Sequence, residues 1–362
     1  MGFTAHWIDD QWKLVSRCLG TKFVPQDHTA TKLGECMEDV MKHWELDPKK
    51  LSAITTDNAA NVLKECATRW GSTHRMISKF LKSKKALRRV LNKDKDTAHL
   101  VPKWQDIEVL EAVDAALSPL AQFTDIMCAS KYVTISALKP VLYRLKHEEL
   151  AVGEKDLPLT ASIKKNIMKY LEDKYASDEK QQLMNVTCFL DPRYKSDFFP
   201  DNEEPEAEGC DIETVCELDA VKETLLKDAV FLKMPEETVE EHSNQPPPSK
   251  KAKKTLGSLT SMKKIKQSPS PAQSPRDRVA NEIARYLQFP TIDGDDDPLQ
   301  WWKFHENDFP LLSQYVRRYL AIPASSAPTE RLFSKAGQIV TAKRVNLKPS
   351  QANMLVFLAE NL

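Results

Sequence analysis

A chain of 362 residues is long enough for two or three domains, each able to bury its own core. Its 52 Lys and Arg balance its 52 Asp and Glu, which excludes a whole-molecule field of one sign directed at nucleic acid or membrane. The seven cysteines are scattered without the Cys-x-x-Cys spacing that offers two thiolates to zinc, and no apolar run approaches the ~20 residues that cross a bilayer. Free thiols in a reducing, cytosolic or nuclear compartment are therefore expected.

FTAHWI and WKLVSRCLG alternate apolar with polar residues around an acidic turn, the pattern of a β-hairpin. A helix is expected from Thr29 to His43, with Leu33, Cys36, Met37, Val40 and Met41 at helical spacing. LSAITTD then reads as a short apolar strand ending at Asp57, and strand, strand, helix, strand is an α/β opening. From Ser72 to Leu91 a helix is expected to place Met76, Ile77, Phe80, Leu81, Leu87, Val90 and Leu91 on one face. Lys79, Lys82, Lys84, Lys85, Arg88 and Arg89 fill the rest. Residues 71–104 carry ten basic against two acidic groups, which suits either a solvated surface face or a track for nucleic-acid phosphates.

Residues 105–190 read as mostly helical and end at FLDPRYK. The following tract, 201–241, carries fifteen acidic against three basic groups and includes a further amphipathic helix, ETVCELDAVKETLLKDAVFL. A triple proline, few large apolar residues and many lysines make 241–278 a linker that cannot bury enough surface to order itself. Within it, Lys250, Lys251, Lys253 and Lys254 form a cluster of nuclear-import type, and Ser268, Ser270 and Ser274 each precede proline. Phosphorylation there would set anionic charge beside the cluster and bear on import or DNA contact.

Residues 279–362 form a second folded unit. Trp301, Trp302 and Phe304 begin one helix. Leu311, Leu312, Tyr315, Val316, Tyr319 and Leu320 stripe another, and SQANMLVFLAENL makes a last helix with little circumference left for water. A short unit this apolar is expected to pair with another domain or another copy of itself.

The order D-P-L-x-W-W-x-x-H, then F-P-x-L, YLAIPASSAPTERLFSKAG and a final NMLVFLAENL resembles the C-terminal dimerisation region of hAT-superfamily transposases. It is similar to the domesticated BED-type relatives of the zinc finger BED domain-containing protein 1-like group. ITTDNAANV and ATRWGSTHRM are further landmarks in the same order. The resemblance implies an α/β plus α chain, in which an incomplete RNase H-like core at 1–70 is interrupted by a mostly α-helical insertion with its acidic tract at 71–240. The basic linker at 241–278 and the dimerisation region at 279–362 follow.

In such a family three carboxylates hold two Mg²⁺ or Mn²⁺ ions for in-line attack on a phosphodiester. Asp57 and Glu330 match two of those positions. As residues alone, Asp57 is explained equally well as a helix N-cap, and Glu330 as a helix-end partner of Arg331 or a backbone amide. Arg69 and Trp70 match a pair the family uses near bound DNA, although Trp70 also suits a core. The dimer contacts implied are Trp301, Trp302, Phe309, Leu312, Leu332, Phe333, Leu355, Phe357 and Leu358.

Three departures shape the expected function. The family's first catalytic strand and, beyond it, the zinc-binding BED finger would precede FTAHWI. The Cys-x-x-His segment normally set between DNAANV and ATRW is reduced here to Leu63–Cys66. A chain reduced in this way, or a spliced form of a longer BED protein, is expected to lack a complete carboxylate set and to bind no metal or cofactor. The hairpin and the Asp57 strand are expected to lose their shared neighbour and show unpaired edges. The expectation is a nuclear, non-enzymatic protein that homodimerises, or heterodimerises with BED or hAT relatives, and takes part in DNA-associated or transcriptional regulation without membrane contact. The alternatives are a residual metal-dependent nuclease or transposase, and the SUMO-ligase-like activity credited to some BED-type relatives, for which the chain offers no cysteine nucleophile or zinc pattern.

Overall fold

The computed structural model describes residues 1–22, 30–56, 70–93, 96–129, 132–154, 156–199, 217–234, 274–340 and 347–362. Among them, β1 (Gly2–Ile8) and β2 (Leu14–Thr21) form a two-stranded antiparallel sheet, running from Gly2 opposite Thr21 to Ile8 opposite Leu14 with a bulge after Phe3. The rest is helical: α1 (Ala30–His43), α2 (Trp70–Leu91), α3 (Trp104–Met127), α4 (Leu138–Arg144), α5 (Pro158–Tyr175), α6 (Asp178–Leu190), α7 (Glu217–Asp228), α8 (Pro275–Gln288), α9 (Pro298–His305), α10 (Leu312–Tyr319), α11 (Ala327–Ile339) and α12 (Pro349–Asn361).

The expected third strand does not form. Residues 51–56 carry no regular structure and are exposed throughout, with Leu51 46% and Ile54 54% accessible. An apolar run becomes a strand only where a neighbouring edge takes up its backbone groups, and the described sheet ends at two strands. Asp57 itself lies outside the described residues.

The main core is organised around α6. Its residues from Met184 to Leu190 are all buried. The Tyr286 hydroxyl of α8 donates to the Phe189 carbonyl (3.1 Å), and the Trp302 indole of α9 donates to the Leu190 carbonyl (3.0 Å). Tyr286 and Trp302 stack at 5.2 Å. The FLDPRYK turn then reverses the chain. Asp191, fully buried, accepts from the Ser136 hydroxyl (2.6 Å) and from two guanidinium nitrogens of Arg193 (3.0 and 2.8 Å). Lys195 adopts the left-handed region (φ 44°) and points its ammonium at the end of α8, donating to the carbonyls of Tyr286 (3.1 Å), Phe289 (2.6 Å) and Pro290 (3.2 Å). These carbonyls lie at and just beyond a helix C-terminus, where intrahelical donors run out; that of Tyr286 also accepts the Phe289 amide (3.3 Å). On the same helix, buried Glu282 accepts the amides of Leu311 and Leu312 (each about 3 Å) and so caps the start of α10.

The hairpin belongs to this body. Trp12, only 1% exposed, sits at its turn with φ 58°, a conformation that costs a non-glycine residue about 1–2 kcal/mol. The cost is offset by what holds it. Its indole donates to Glu306 (2.8 Å), and the Arg317 guanidinium lies 4.1 Å over its ring while bonding Glu306 (2.9 Å) and the Asp9 carbonyl. Burial alone would raise the Glu306 carboxyl, but the Trp12 indole and Arg317 hold it below its ordinary range.

At the other end, β2 is covered rather than left as a bare edge. Asn361 of α12 accepts the Cys18 amide (3.0 Å) and donates to the Cys18 carbonyl (2.9 Å), and Asn353 accepts the Thr21 amide (2.7 Å). Beneath them Cys18, Leu332 and Val356 form a small separate core. The expectation of exposed edges is thus corrected for β2, where a helix supplies side-chain amides in place of a strand.

Replacing Lys195 with Met should cost about 2–4 kcal/mol, because it strips three buried or half-buried carbonyls of a donor. Urea unfolding of the full chain reads this as a lower midpoint, and an unchanged midpoint would show that water replaces the ammonium.

Candidate functional site

The start of α11 is fastened to the end of α3. Ser325 donates to the Met127 carbonyl (3.0 Å), Arg331 donates to the Cys128 carbonyl, and the Ala324 amide donates to Thr134 (3.1 Å). This sets Glu330, half-buried, in the first turn of α11 with the Ser326 hydroxyl 3.4 Å from its carboxylate. The neighbouring Thr329 hydroxyl lies 3.5 Å from that of Thr4 in β1, and His6 lies 3.0 Å from Thr4 on the same strand. Burial lowers the pKa of His6, so its ring is held neutral. The Thr55 hydroxyl donates to the Pro323 carbonyl (3.1 Å) and brings the segment leading to Asp57 toward the chain that enters α11. A small cleft of about 20 Å³, room for roughly one water, opens nearby, lined by His6, Ser16, Tyr132, Thr134, Pro323 and Pro328 among others but not by Glu330.

The described donors around Glu330 do not fit a pair of catalytic cations. One carboxylate among hydroxyls and a neutral imidazole is a poor match for Mg²⁺, which takes six oxygen ligands and leans on carboxylates. No group of three His, Cys, Asp or Glu side chains converges among the described residues. No catalytic step is derived for Glu330.

The basic helix α2 packs chiefly on α3. His74 is buried against Asp114 (3.3 Å), Ser78 donates to the same carboxylate, and Lys84 turns to Glu111 (2.6 Å). Lys79, Lys82, Lys85, Arg88 and Arg89 remain exposed. The apolar stripe read from sequence is narrower than expected. Ile77 is buried, while Met76 and Val90 are each 64% exposed, because one packed neighbour covers less than half of a helix. Arg69, the Trp70 side chain and Lys250, Lys251, Lys253 and Lys254 lie outside the described residues.

Burial divides the nine expected dimer contacts. Trp302, Phe309, Leu312 and Leu332 are at most 1% exposed within this one chain and are unavailable to a partner, which corrects their assignment. Trp301 packs against the same core, and Phe357 stacks on Trp44 at 5.7 Å. Phe333 (49%), Leu355 (37%) and Leu358 (41%) are exposed, joined by Met354 (64%) and Val340 (53%). Sequence periodicity marks all of these as apolar; only the packing partner tells which face is already occupied. Asn353 and Asn361, the clamps on β2, gave no sequence signal, since their role is set by a strand more than 300 residues away.

Residues 282–362 match the model of the hAT family C-terminal dimerisation region, and residues 1–86 match that of the ZBED1 RNase-like domain. The chain thus carries, at its two ends, a region similar to the ZBED1 RNase-like domain and one similar to the hAT dimerisation region. It is 22% identical to an AC transposase of Zea mays across 96% of its own length and 53% of that protein, and 21% identical to zinc finger BED domain-containing protein 4 of Homo sapiens across 95% of its own length and 27% of that protein. It thus spans about half or less of these relatives. The two matched regions meet in the packing of β1 and β2 on α11 and α12. No described helix is long and apolar enough to cross a membrane.

Proposed function

We propose that this chain is a nuclear, DNA-associated regulatory protein that works as a homodimer, or as a heterodimer with hAT-type relatives, and does not cleave DNA. The observation that carries the reading is the outward apolar face of α11 and α12, where Phe333, Met354, Leu355 and Leu358 stand exposed inside the matched dimerisation region. Several exposed apolar side chains within one such region are expensive in water and are the usual material of a subunit interface.

Leu355→Asp combined with Leu358→Asp should leave the fold intact and weaken association about 100-fold or more, since each places a charge in a desolvated interface. Light scattering at micromolar concentration distinguishes the outcomes: dimer for the parent chain and monomer for the variant. A monomeric parent chain sinks the reading. Trp302→Ala, by contrast, should lower thermal stability, because it empties a buried site.

The exposed cations of α2 support the DNA-associated part. Lys79, Lys82, Lys85, Arg88 and Arg89 form a cationic ridge that would track phosphates without reading bases. Reversing Lys79, Lys82 and Arg89 to Glu should cut affinity for non-specific duplex DNA several-fold and flatten its salt dependence by about two to three counterions. Equal binding and equal slope would move the DNA contact elsewhere.

The absence of cleavage rests on carboxylate count. Asp57 and Glu330 are two candidate ligands, and two cations in an in-line displacement need more oxygens than two side chains supply. Incubation with supercoiled DNA and Mg²⁺ or Mn²⁺ should give no nicking. Nicking that disappears in Asp57→Ala would establish the second reading, a residual nuclease.

A further inference from the structure

Of the three Ser-Pro dipeptides, the one at Ser274 and Pro275 falls among the described residues, and there it is built into the fold. Ser274 is exposed and extended (φ −60°, ψ 152°) and stands as the N-cap of α8, with Pro275 at the first helical position. Its hydroxyl accepts the Asp277 amide (3.2 Å) and donates to the Asp277 carboxylate (2.7 Å), which also accepts the Ser274 amide (3.3 Å). The next side chain, Arg276, reaches across to α7 and holds both carboxylate oxygens of Glu223 (2.7 and 3.0 Å).

We infer that Ser274 is a phosphoacceptor for a proline-directed protein kinase, and that the phosphate draws Arg276 from Glu223 and loosens α7 from α8. Transfer forms the bond between Ser274 Oγ and the γ-phosphorus of ATP, breaks that phosphorus's bond to ADP and leaves the hydroxyl proton with the kinase's base. The acceptor serine already has an extended backbone, and its proline is the first residue of the helix. Only the first helical turn, Arg276 and Asp277, must open for a kinase, and helix ends fray readily.

The local electrostatics fix the direction of the change. The phosphate adds nearly two negative charges beside the Asp277 carboxylate, and the hydroxyl bond that joined them is gone. Asp277 is exposed and can rotate into water at little cost. The phosphate stays, because the free amides and the positive end of α8 favour it. The remainder of α8 is anchored by Val279, Ile283 and Tyr286, all buried, so its start re-forms around the new anion. Arg276 binds a phosphate more strongly than a carboxylate, and Glu223 is left in solvent.

The test treats the full chain with a proline-directed serine kinase and ATP, maps phosphate by peptide mass spectrometry and follows hydrogen exchange. Phosphate is expected on Ser274, with amides 217–228 exchanging about two- to five-fold faster, the size of an exposed ion pair, and 279–286 unchanged. Arg276→Ala should reproduce the α7 change without kinase and show no further α7 change on phosphorylation. Ser274→Ala should take no phosphate at 274 and keep α7 protected. No phosphate on Ser274, unaltered α7 exchange in the phosphorylated chain, or loss of protection throughout α8 each overturns the inference.

Discussion

The buried carboxylate of Asp191 constrains most of the architecture around it. An ionised group with no solvent exposure costs several kcal/mol unless its oxygens are paired, and removing one partner leaves that cost uncompensated. Ser136 comes from the turn entering α4, and Arg193 comes from the same reversal as Asp191. Together they oblige the chain to turn sharply after α6. Once it has turned, Lys195 is directed at the carbonyl end of α8, and burial lowers its ammonium pKa to about 8 even with three carbonyls in reach. The charged form is retained because those carbonyls and the faces of Tyr286 (4.6 Å) and Trp301 (5.6 Å) replace its hydration.

This arrangement makes the helical middle of the chain and its C-terminal region parts of one core. Tyr286, Trp302 and Tyr315 each bury a ring and spend their polar atom on a carbonyl of the middle region, at Phe189, Leu190 and Leu225. Such bonds leave the C-terminal helices no independent way to satisfy those groups. The hairpin is joined to the same body through Trp12, Glu306 and Arg317, a trio whose cation–π contact and ion pair fix the turn despite its unfavourable backbone angle.

Local pattern disclosed much of this, and non-local pairing disclosed the rest. The span expected for α1 differs from the observed helix by one residue, and the stripe of Leu312, Tyr315, Val316 and Tyr319 matches α10, because helical spacing is a property of neighbouring residues. LSAITTD failed as a strand because a strand depends on an edge supplied from elsewhere. The FLDPRYK reversal was visible as a motif, but Lys195 could not be assigned to α8, about ninety residues on, without the fold. On α11, the Glu330 assignment rested on resemblance. Its setting among Ser326, Thr329 and Thr4 depends on β1 packing against α11, which no local pattern encodes.

The last helix shows why apolar density alone misassigns an interface. On α12, Asn353, Val356, Phe357 and Asn361 fall on one side at helical spacing and are consumed by β2, by the small core around Cys18 and by Trp44. Met354, Leu355 and Leu358 fall on the other side and are left 64%, 37% and 41% exposed. A surface helix held by only one face normally carries polar residues on the other. Here the second face is apolar as well, so the helix is patterned for two neighbours and the described residues supply one. That imbalance separates the residues that build the fold, such as Trp302 and Leu332, from those left to meet a partner, and it supports association more directly than the number of aromatic residues in the region.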